Sequence, residues 1–228
     1  MRRRQRLLQR VLAFLSLVRW THLAFLAYAQ IVAYYVLFQP NPGWMPDRIF
    51  LGVLLATACF VGGGTLINSF YDLDRDLVQR PWRTLFERPV AKKYGLQLAL
   101  WFYAIGAITV VVLLPKLAEL SFIFYGVLIW AYSHKQWGQH PLGPLMATLL
   151  AYTPLLLLAF AYAPESADGF WRSLPLALGM MVVEWRRQWE RKMLWTLPEA
   201  QRARPIRRQW IYKALLVAGI AAIPLLYA

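Results

Sequence analysis

Long apolar runs dominate the chain, and short segments that carry charge, glycine or proline separate them. A helical run of about 20 apolar residues is long enough to cross the hydrocarbon core of a bilayer. The pattern predicts seven such spans, at about 20–38, 50–70, 96–114, 119–133, 142–162, 172–184 and 210–227. We therefore expect an all-α fold, a polytopic transmembrane helix bundle of about seven spans. A tight turn alone separates the third span from the fourth, and the sixth is short, so one of these three is expected to be tilted, broken or re-entrant.

Residues 1–19 have a different pattern from the runs that follow them. Five arginines alternate with leucine, valine and phenylalanine, namely Arg2, Arg3, Arg4, Arg6 and Arg10. This basic amphipathic pattern is typical of a helix that lies on a membrane surface, and it suits a simple topology signal equally well. We accordingly divide the chain into a basic amphipathic N-terminal segment, 1–19, and a single transmembrane helical domain, 20–228.

The distribution of charge predicts which partners the chain has and how it is oriented. The chain has 228 residues, 59% of them hydrophobic, and a formal net charge of +14. The charges lie between apolar runs, so they indicate contact with anionic membrane lipids and not with nucleic acid. Cys59 is the single cysteine and lies within an apolar run, which excludes a disulfide framework.

The loops fall into two groups by their charge. The segments 1–11, 71–95, 134–141 and 185–209 each carry more Lys and Arg than Asp and Glu, whereas 39–48, 115–119 and 163–172 do not. Positive loops stay on the cytoplasmic side of a membrane. We expect an integral membrane protein, of a bacterial inner membrane, with its N-terminus and its acidic motif facing the cytoplasm.

The segment after the second apolar run carries the clearest chemistry. Asn68, Asp72 and Asp76 follow one another at intervals of four, which places them on one face of a helix. One amide and two carboxylates on the same face are hard oxygen ligands of the kind that bind Mg²⁺. The alternative is a hydrated acidic loop between two membrane helices. Gly62-Gly63-Gly64 precede this motif and predict either close helix contact or room for a ligand.

Basic residues follow the acidic motif and extend its chemistry. They are Arg80, Arg83, Arg88, Lys92 and Lys93. Carboxylates beside several cations suit a metal-bound polyanion, with Mg²⁺ on the carboxylates and phosphate oxygens on the basic side chains.

Two further polar clusters lie on the same predicted side. Tyr132-Ser133-His134-Lys135 end the fourth span, where Tyr132 and Lys135 are either site residues or interfacial anchors. The run from Glu184 to Lys192 contains Arg186 and Arg187 and is either part of a site or a solvated positive loop.

The acidic segment resembles the first Asp-rich motif of the UbiA superfamily of intramembrane prenyltransferases. In that motif Asn-(Asp)-x-x-Asp-x-x-x-Asp precedes Arg-Pro or Lys-Pro, and here Asn68, Asp72 and Asp76 precede Arg80-Pro81. Tyr132 to Lys135 is similar to a second family segment. The resemblance implies a helical bundle with a cavity open to lipid and Mg²⁺-dependent prenyl transfer from a prenyl diphosphate to a lipophilic acceptor.

The resemblance also implies residue roles. Asn68, Asp72 and Asp76 would bind the metal, and Asp72, Asp76, Tyr132 and Lys135 would form the catalytic set. Substrate would contact Asn68 and four arginines, namely Arg80, Arg83, Arg186 and Arg187.

The sequence departs from the family pattern after the sixth span. A second Asp-rich motif is expected there, but Glu184, Gln188 and Glu190 stand in its place among arginines. Only one further span is predicted beyond it, fewer than the family usually has, so part of the cavity wall would be missing or supplied by another protein.

Two functional hypotheses follow from these matches and departures. In the first, the chain is an enzyme in which Arg186 and Arg187 replace the charge of a second metal ion. In the second, it is a catalytically impaired family member that binds an isoprenoid-tailed lipid, quinone or pigment as a subunit of a larger membrane complex. A small transporter has little support, because no charged residue lies securely in mid-membrane.

Overall fold

Helices form every regular element in the part of the chain that is described. A computed structural model describes residues 3–38, 45–73, 77, 81–162, 167–194, 197–198, 201 and 203–227. We number the helices α1 (Arg3–Leu17), α2 (Trp20–Ala33, continued by a π-helical turn, Tyr34–Phe38), α3 (Arg48–Tyr71), α4 (Pro81–Leu113), α5 (Lys116–His134), α6 (Gly143–Tyr162), α7 (Ala167–Leu194) and α8 (Ala203–Tyr227). The predicted all-α fold class is thus confirmed.

Among the described residues, five helical segments have the length and apolarity of membrane spans. They are Trp20–Phe38, Arg48–Tyr71, Thr84–Leu113, Lys116–His134 and Gly143–Tyr162. These segments correspond to the first five predicted spans. The predicted spans 172–184 and 210–227 are also helical, but they lie within α7 and α8, which join them to charged segments.

The start of α4 differs from the sequence prediction. Residues 71–95 were expected to form a loop, yet α4 begins at Pro81 and continues to Leu113. Proline suits the first position of a helix because its fixed φ is already helical and its missing N–H would have no partner there. A helix of this length is about 50 Å long, against about 30 Å for the hydrocarbon core. The charged first turns of α4 can therefore extend beyond the membrane.

The chain divides into two compact units, which we describe separately. The first comprises Met1–Ala27 and Gly52–Trp137, and the second comprises Tyr28–Leu51 and Gly138–Ala228. In the first unit α1 packs on α4 and α4 packs on α5. Its core is built from buried apolar residues of α1, the α1–α2 turn, α3 and α4: Ala13, Leu17, Val18, Leu66, Ile67, Val90, Ala91 and Ala99.

A polar contact also joins α1 to α4 in the first unit. The hydroxyl of Ser16 donates a hydrogen bond to Oε1 of Glu87, and Glu87 is buried. A buried carboxylate needs hydrogen-bonded partners, and this contact is one of them. It also explains why an acidic residue is tolerated inside the packed first half of α4.

The three consecutive glycines of α3 bring neighbouring helices close. A Cβ atom at Gly62 would lie 2.7 Å from Cε1 of Phe102, and one at Gly63 would lie 2.8 Å from Cδ2 of Tyr103. At Gly64 it would overlap Cγ2 of Ile129 on α5. Small residues allow this approach of backbones in membrane bundles. Of the two predicted uses of the glycine run, the structure shows close helix packing.

In the second unit, Asp47 fixes the start of α3. Its Oδ1 accepts hydrogen bonds from the backbone N–H of Phe50 at 2.7 Å and from the hydroxyl of Tyr162 at 2.7 Å. The Tyr34 hydroxyl donates to Oδ2 at 3.2 Å. Asp47 therefore caps α3 while it connects α2 and α6. The unit is completed by α6 packed on α7 and α7 packed on α8.

Candidate functional site

The last turn of α3 presents the first part of the predicted site. Asn68 and Asp72 are both half-buried, and the backbone N–H of Asp72 donates to the carbonyl oxygen of Asn68 at 2.9 Å. Asp72 thus continues the helical hydrogen-bonding pattern by one residue beyond Tyr71. Asp76 and Arg80 lie outside the described residues, as does the side chain of Arg83.

A cleft lies at the end of α3, within the first unit. Its volume is about 200 Å³, and it is lined by Phe70, Tyr71, Leu73, Arg88 and Lys92. Arg88 and Lys92 are four residues apart on α4, so their side chains leave the helix on the same face. The cleft therefore combines two cations with two aromatic rings, directly beside the helix end that carries Asp72. A polyanion such as a diphosphate suits this arrangement.

The structure brings the segment 132–135 to the same helix end. The hydroxyl of Ser133 donates to the carbonyl oxygen of Gly64 at 3.1 Å, in the buried contact between α3 and α5. One residue later, Nδ1 of His134 lies 2.8 Å from the hydroxyl oxygen of Tyr71. Tyr132 is half-buried and Lys135 is exposed at the end of α5. The first two polar clusters predicted from the sequence are therefore neighbours.

The His134 ring is held between two aromatic side chains. It stacks on Trp130 with ring centroids 4.9 Å apart and an interplanar angle of 10°. The Tyr71 ring meets it edge-on at 5.2 Å. Together with the Ser133 hydrogen bond, these contacts fix the end of α5 against the end of α3.

The arginines of the third cluster lie in the second unit, on α7, where they are paired with acids. Nε and Nη2 of Arg187 donate to Glu184 at 2.7 and 2.5 Å, and Gln188 Nε2 donates to the same carboxylate at 2.6 Å. Arg186 Nε lies 3.3 Å from Oε1 of Glu190 and its side chain is 63% exposed. Arg187 thus serves a structural ion pair, while Arg186 remains accessible to solvent.

Glu190 also connects α7 to α8. Its Oε1 accepts a hydrogen bond from the hydroxyl of Tyr212 at 2.9 Å, and Arg208 Nη1 lies 3.6 Å away. Glu184 and Glu190, the two acids that stand where a second Asp-rich motif is expected, are therefore both engaged by protein donors.

The end of α3 carries oxygen donors of the type found in magnesium sites. Asn68 and Asp72 carry hard oxygen atoms one helical turn apart, which is the donor type that Mg²⁺ prefers. The carboxylate of Glu184 already binds a guanidinium and an amide, which makes it a poor ligand for a second ion. Across the described ranges, no three His, Cys, Asp or Glu side chains come together as a metal-binding cluster.

Tyr71 and His134 were not among the predicted site residues, although both lie within motifs that the sequence showed. They are 63 residues apart, and no spacing rule connects positions so distant. Arg88 and Lys92 carried a signal, because their spacing of four in a helix predicts a shared face. The shared face was not predicted, because residues 71–95 were expected to form a loop.

Known proteins resemble this chain in sequence and in fold. A model of the UbiA prenyltransferase family matches residues 29–227. Digeranylgeranylglyceryl phosphate synthase of Hyperthermus butylicus (strain DSM 5456 / JCM 9403 / PLM1-5) is 24% identical over 133 residues, which cover 58% of this chain and 44% of that relative. The match thus spans less than half of the relative's length.

A solved structure of digeranylgeranylglyceryl phosphate synthase shares the fold. It superposes with a TM-score of 0.61 and 13% identity, over 95% of this chain and 77% of that chain. The helical architecture and the family match lead to the same assignment, and the resemblance to the UbiA superfamily is confirmed. The chain belongs to the UbiA prenyltransferase family.

Proposed function

We propose that this chain is a Mg²⁺-dependent membrane prenyltransferase, which transfers a prenyl group from a prenyl diphosphate to a lipophilic acceptor. The observation that carries the proposal is the cleft at the end of α3, where Arg88 and Lys92 lie beside the helix that presents Asn68 and Asp72. Hard oxygen donors next to paired cations are what a metal-bound diphosphate requires.

Asn68, Asp72 and Asp76 are the residues that would bind Mg²⁺. UbiA prenyltransferases generally use this ion, and when bound it neutralises part of the charge that develops on a departing diphosphate. Arg80, Arg83, Arg88 and Lys92 bind the phosphate oxygens, and Tyr132 and Lys135 complete the binding site at the end of α5.

The transfer breaks one bond and forms another. The C–O bond between the first carbon of the prenyl chain and the bridging oxygen breaks, and the electron pair leaves with the diphosphate. The acceptor's oxygen or carbon attacks the resulting allylic cation and then loses its proton. Arg88 and Lys92 favour the first step because they stabilise the negative charge on the leaving group.

A single metal-binding motif serves this reaction in our proposal. The expected second motif contains Glu184, whose carboxylate binds Arg187 and Gln188, and a carboxylate with these partners is a poor ligand for a second ion. The excess of Lys and Arg in the loops of the same side supports a cytoplasmic position of the site.

Purified protein and labelled geranyl, farnesyl and geranylgeranyl diphosphates test the proposal. Two classes of acceptor are supplied: lipids with a glyceryl phosphate hydroxyl and small aromatic compounds. The first class is included because the relative from Hyperthermus butylicus is a digeranylgeranylglyceryl phosphate synthase. We expect Mg²⁺-dependent formation of a prenylated lipid, and a KM for the diphosphate that rises about 10-fold or more in Arg88→Ala or Lys92→Ala. The control, Lys116→Ala, removes an exposed cation at the other end of α5 and should leave the KM unchanged.

The same experiment separates the enzyme from the alternative function. A protein that binds none of the diphosphates, and that purifies in fixed ratio with other membrane proteins, would be a subunit of a complex and not a transferase.

A further inference from the structure

The hydrogen bond between Tyr71 and His134 can run in either direction, and its direction affects the donors that the cleft offers. Tyr71 lines the cleft together with Arg88 and Lys92, and its hydroxyl oxygen lies 2.8 Å from Nδ1 of His134. A tyrosine hydroxyl has one proton to donate, and its oxygen can also accept. The direction of this hydrogen bond therefore decides whether the Tyr71 proton is directed to His134 or is available to a ligand.

The neighbours of His134 fix its ring so that Nδ1 faces the Tyr71 hydroxyl. The ring stacks on Trp130 at 4.9 Å, and the preceding Ser133 is tied to the carbonyl oxygen of Gly64 at 3.1 Å. If Nδ1 carries a proton, it donates to the Tyr71 oxygen. The Tyr71 proton is then available to an anion in the cleft. A phosphate oxygen is an acceptor without protons to donate, so it stabilises this arrangement of donors over the opposite one.

We propose that the Tyr71 hydroxyl donates a hydrogen bond to a phosphate oxygen bound between Arg88 and Lys92, and that His134 positions Tyr71 by donating a hydrogen bond from Nδ1–H to the Tyr71 oxygen. Tyr71 is thus a further substrate-binding residue, and His134 is a positioning residue. The inference rests on the proposed function for the identity of the anion, which is the diphosphate of the prenyl donor.

A purely structural role predicts a different pattern. If Tyr71 only ties α3 to α5, it donates to His134, and loss of its hydroxyl lowers stability without a change in anion affinity. Binding and stability must therefore be measured on the same variants.

Inorganic pyrophosphate is the probe, and calorimetry with Mg²⁺ present measures its affinity for purified full-length protein. Tyr71→Phe should weaken binding about 10-fold, the size expected for one hydrogen bond to a charged group. Tyr94→Phe is the matched control, because Tyr94 is a similarly exposed tyrosine of α4, 38% against 39%, and lies outside the cleft lining. The Tyr94→Phe variant should bind pyrophosphate with the same affinity as the unmodified protein.

Two variants of His134 test its positioning role. His134→Leu removes the donor and should weaken pyrophosphate binding, whereas His134→Asn should restore most of the affinity because its amide N–H lies near the position of Nδ1. Equal affinities for the unmodified protein, Tyr71→Phe and His134→Leu would overturn the inference. So would the absence of pyrophosphate binding to the unmodified protein.

Prenyl transfer is measured in parallel so that the two proposals can fail separately. Transfer that persists with an unchanged KM in Tyr71→Phe leaves the function standing and rejects the role of Tyr71. Pyrophosphate binding that depends on Tyr71, in a protein without transferase activity, rejects the function and retains the anion site.

Discussion

Replacement of Gly64 by alanine should separate α3 from α5 and disturb the site at their ends. The new Cβ would overlap Cγ2 of Ile129, a buried side chain whose branched Cβ leaves few alternative rotamers. The backbones must therefore move apart, and the hydrogen bond from Ser133 to the Gly64 carbonyl, now 3.1 Å, would lengthen or break.

The expected cost follows from three contributions. Overpacking of a filled contact destabilises by about 1–3 kcal/mol, and loss of the hydrogen bond adds about 0.5–1.5 kcal/mol. Alanine regains about 0.5–1 kcal/mol from its better helix propensity. We therefore expect Gly64→Ala to lower the free energy of unfolding by about 2 kcal/mol, within a range of about 0.5–4 kcal/mol, and to reduce prenyl transfer.

Thermal unfolding in detergent, followed by circular dichroism, measures the effect. Gly179→Ala is the control, because Gly179 also lies within a helix but a Cβ there would have no atom within 4 Å. This variant should be as stable as the unmodified protein or slightly more stable. If Gly64→Ala behaved like Gly179→Ala, the close contact of α3 with α5 would be wrong.

Two further predictions concern the second unit. Asp47→Ala removes the acceptor of the Phe50 N–H and of the Tyr162 hydroxyl, and it should lower the free energy of unfolding by about 1–3 kcal/mol in thermal unfolding. Asp47→Asn can still cap α3 and should lose less stability; equal losses in the two variants would refute the capping role. Glu184→Gln should lower stability because Arg187 loses its ionised partner, but it should leave the Mg²⁺ concentration for half-maximal activity unchanged; a clear rise in that concentration would show that Glu184 binds metal.

The apolar runs predicted the membrane helices well because length and composition decide them locally. The expected span 50–70 corresponds to Arg48–Tyr71, and 142–162 corresponds to Gly143–Tyr162. The start of α4 could not be predicted in this way. Charges such as Glu87 indicated a loop, whereas the contact with Ser16, 71 residues away in the chain, contributes to the burial of this acid in a helix.

The sequence likewise predicted the local part of the candidate site but not the contacts between its helices. The spacing of Asn68 and Asp72 placed both residues on one helix face without any knowledge of the fold, since helical periodicity is a local property. The cleft beside them depends on α4, and the contact of Tyr71 with His134 depends on the packing of α5 against the glycine run. Contacts between distant positions cannot be read from the spacing in one sequence.

Mg²⁺-dependent release of diphosphate from a labelled prenyl diphosphate is the most direct test of the proposed transferase. The unmodified protein should release diphosphate only with Mg²⁺ present, and Asp72→Ala should abolish the release. Glu119→Ala, which removes an acid of the same unit that pairs with Lys116 at the other end of α5, should retain it. Release that is independent of Mg²⁺, or that is unaffected by Asp72→Ala, would contradict the assignment of the site to the end of α3.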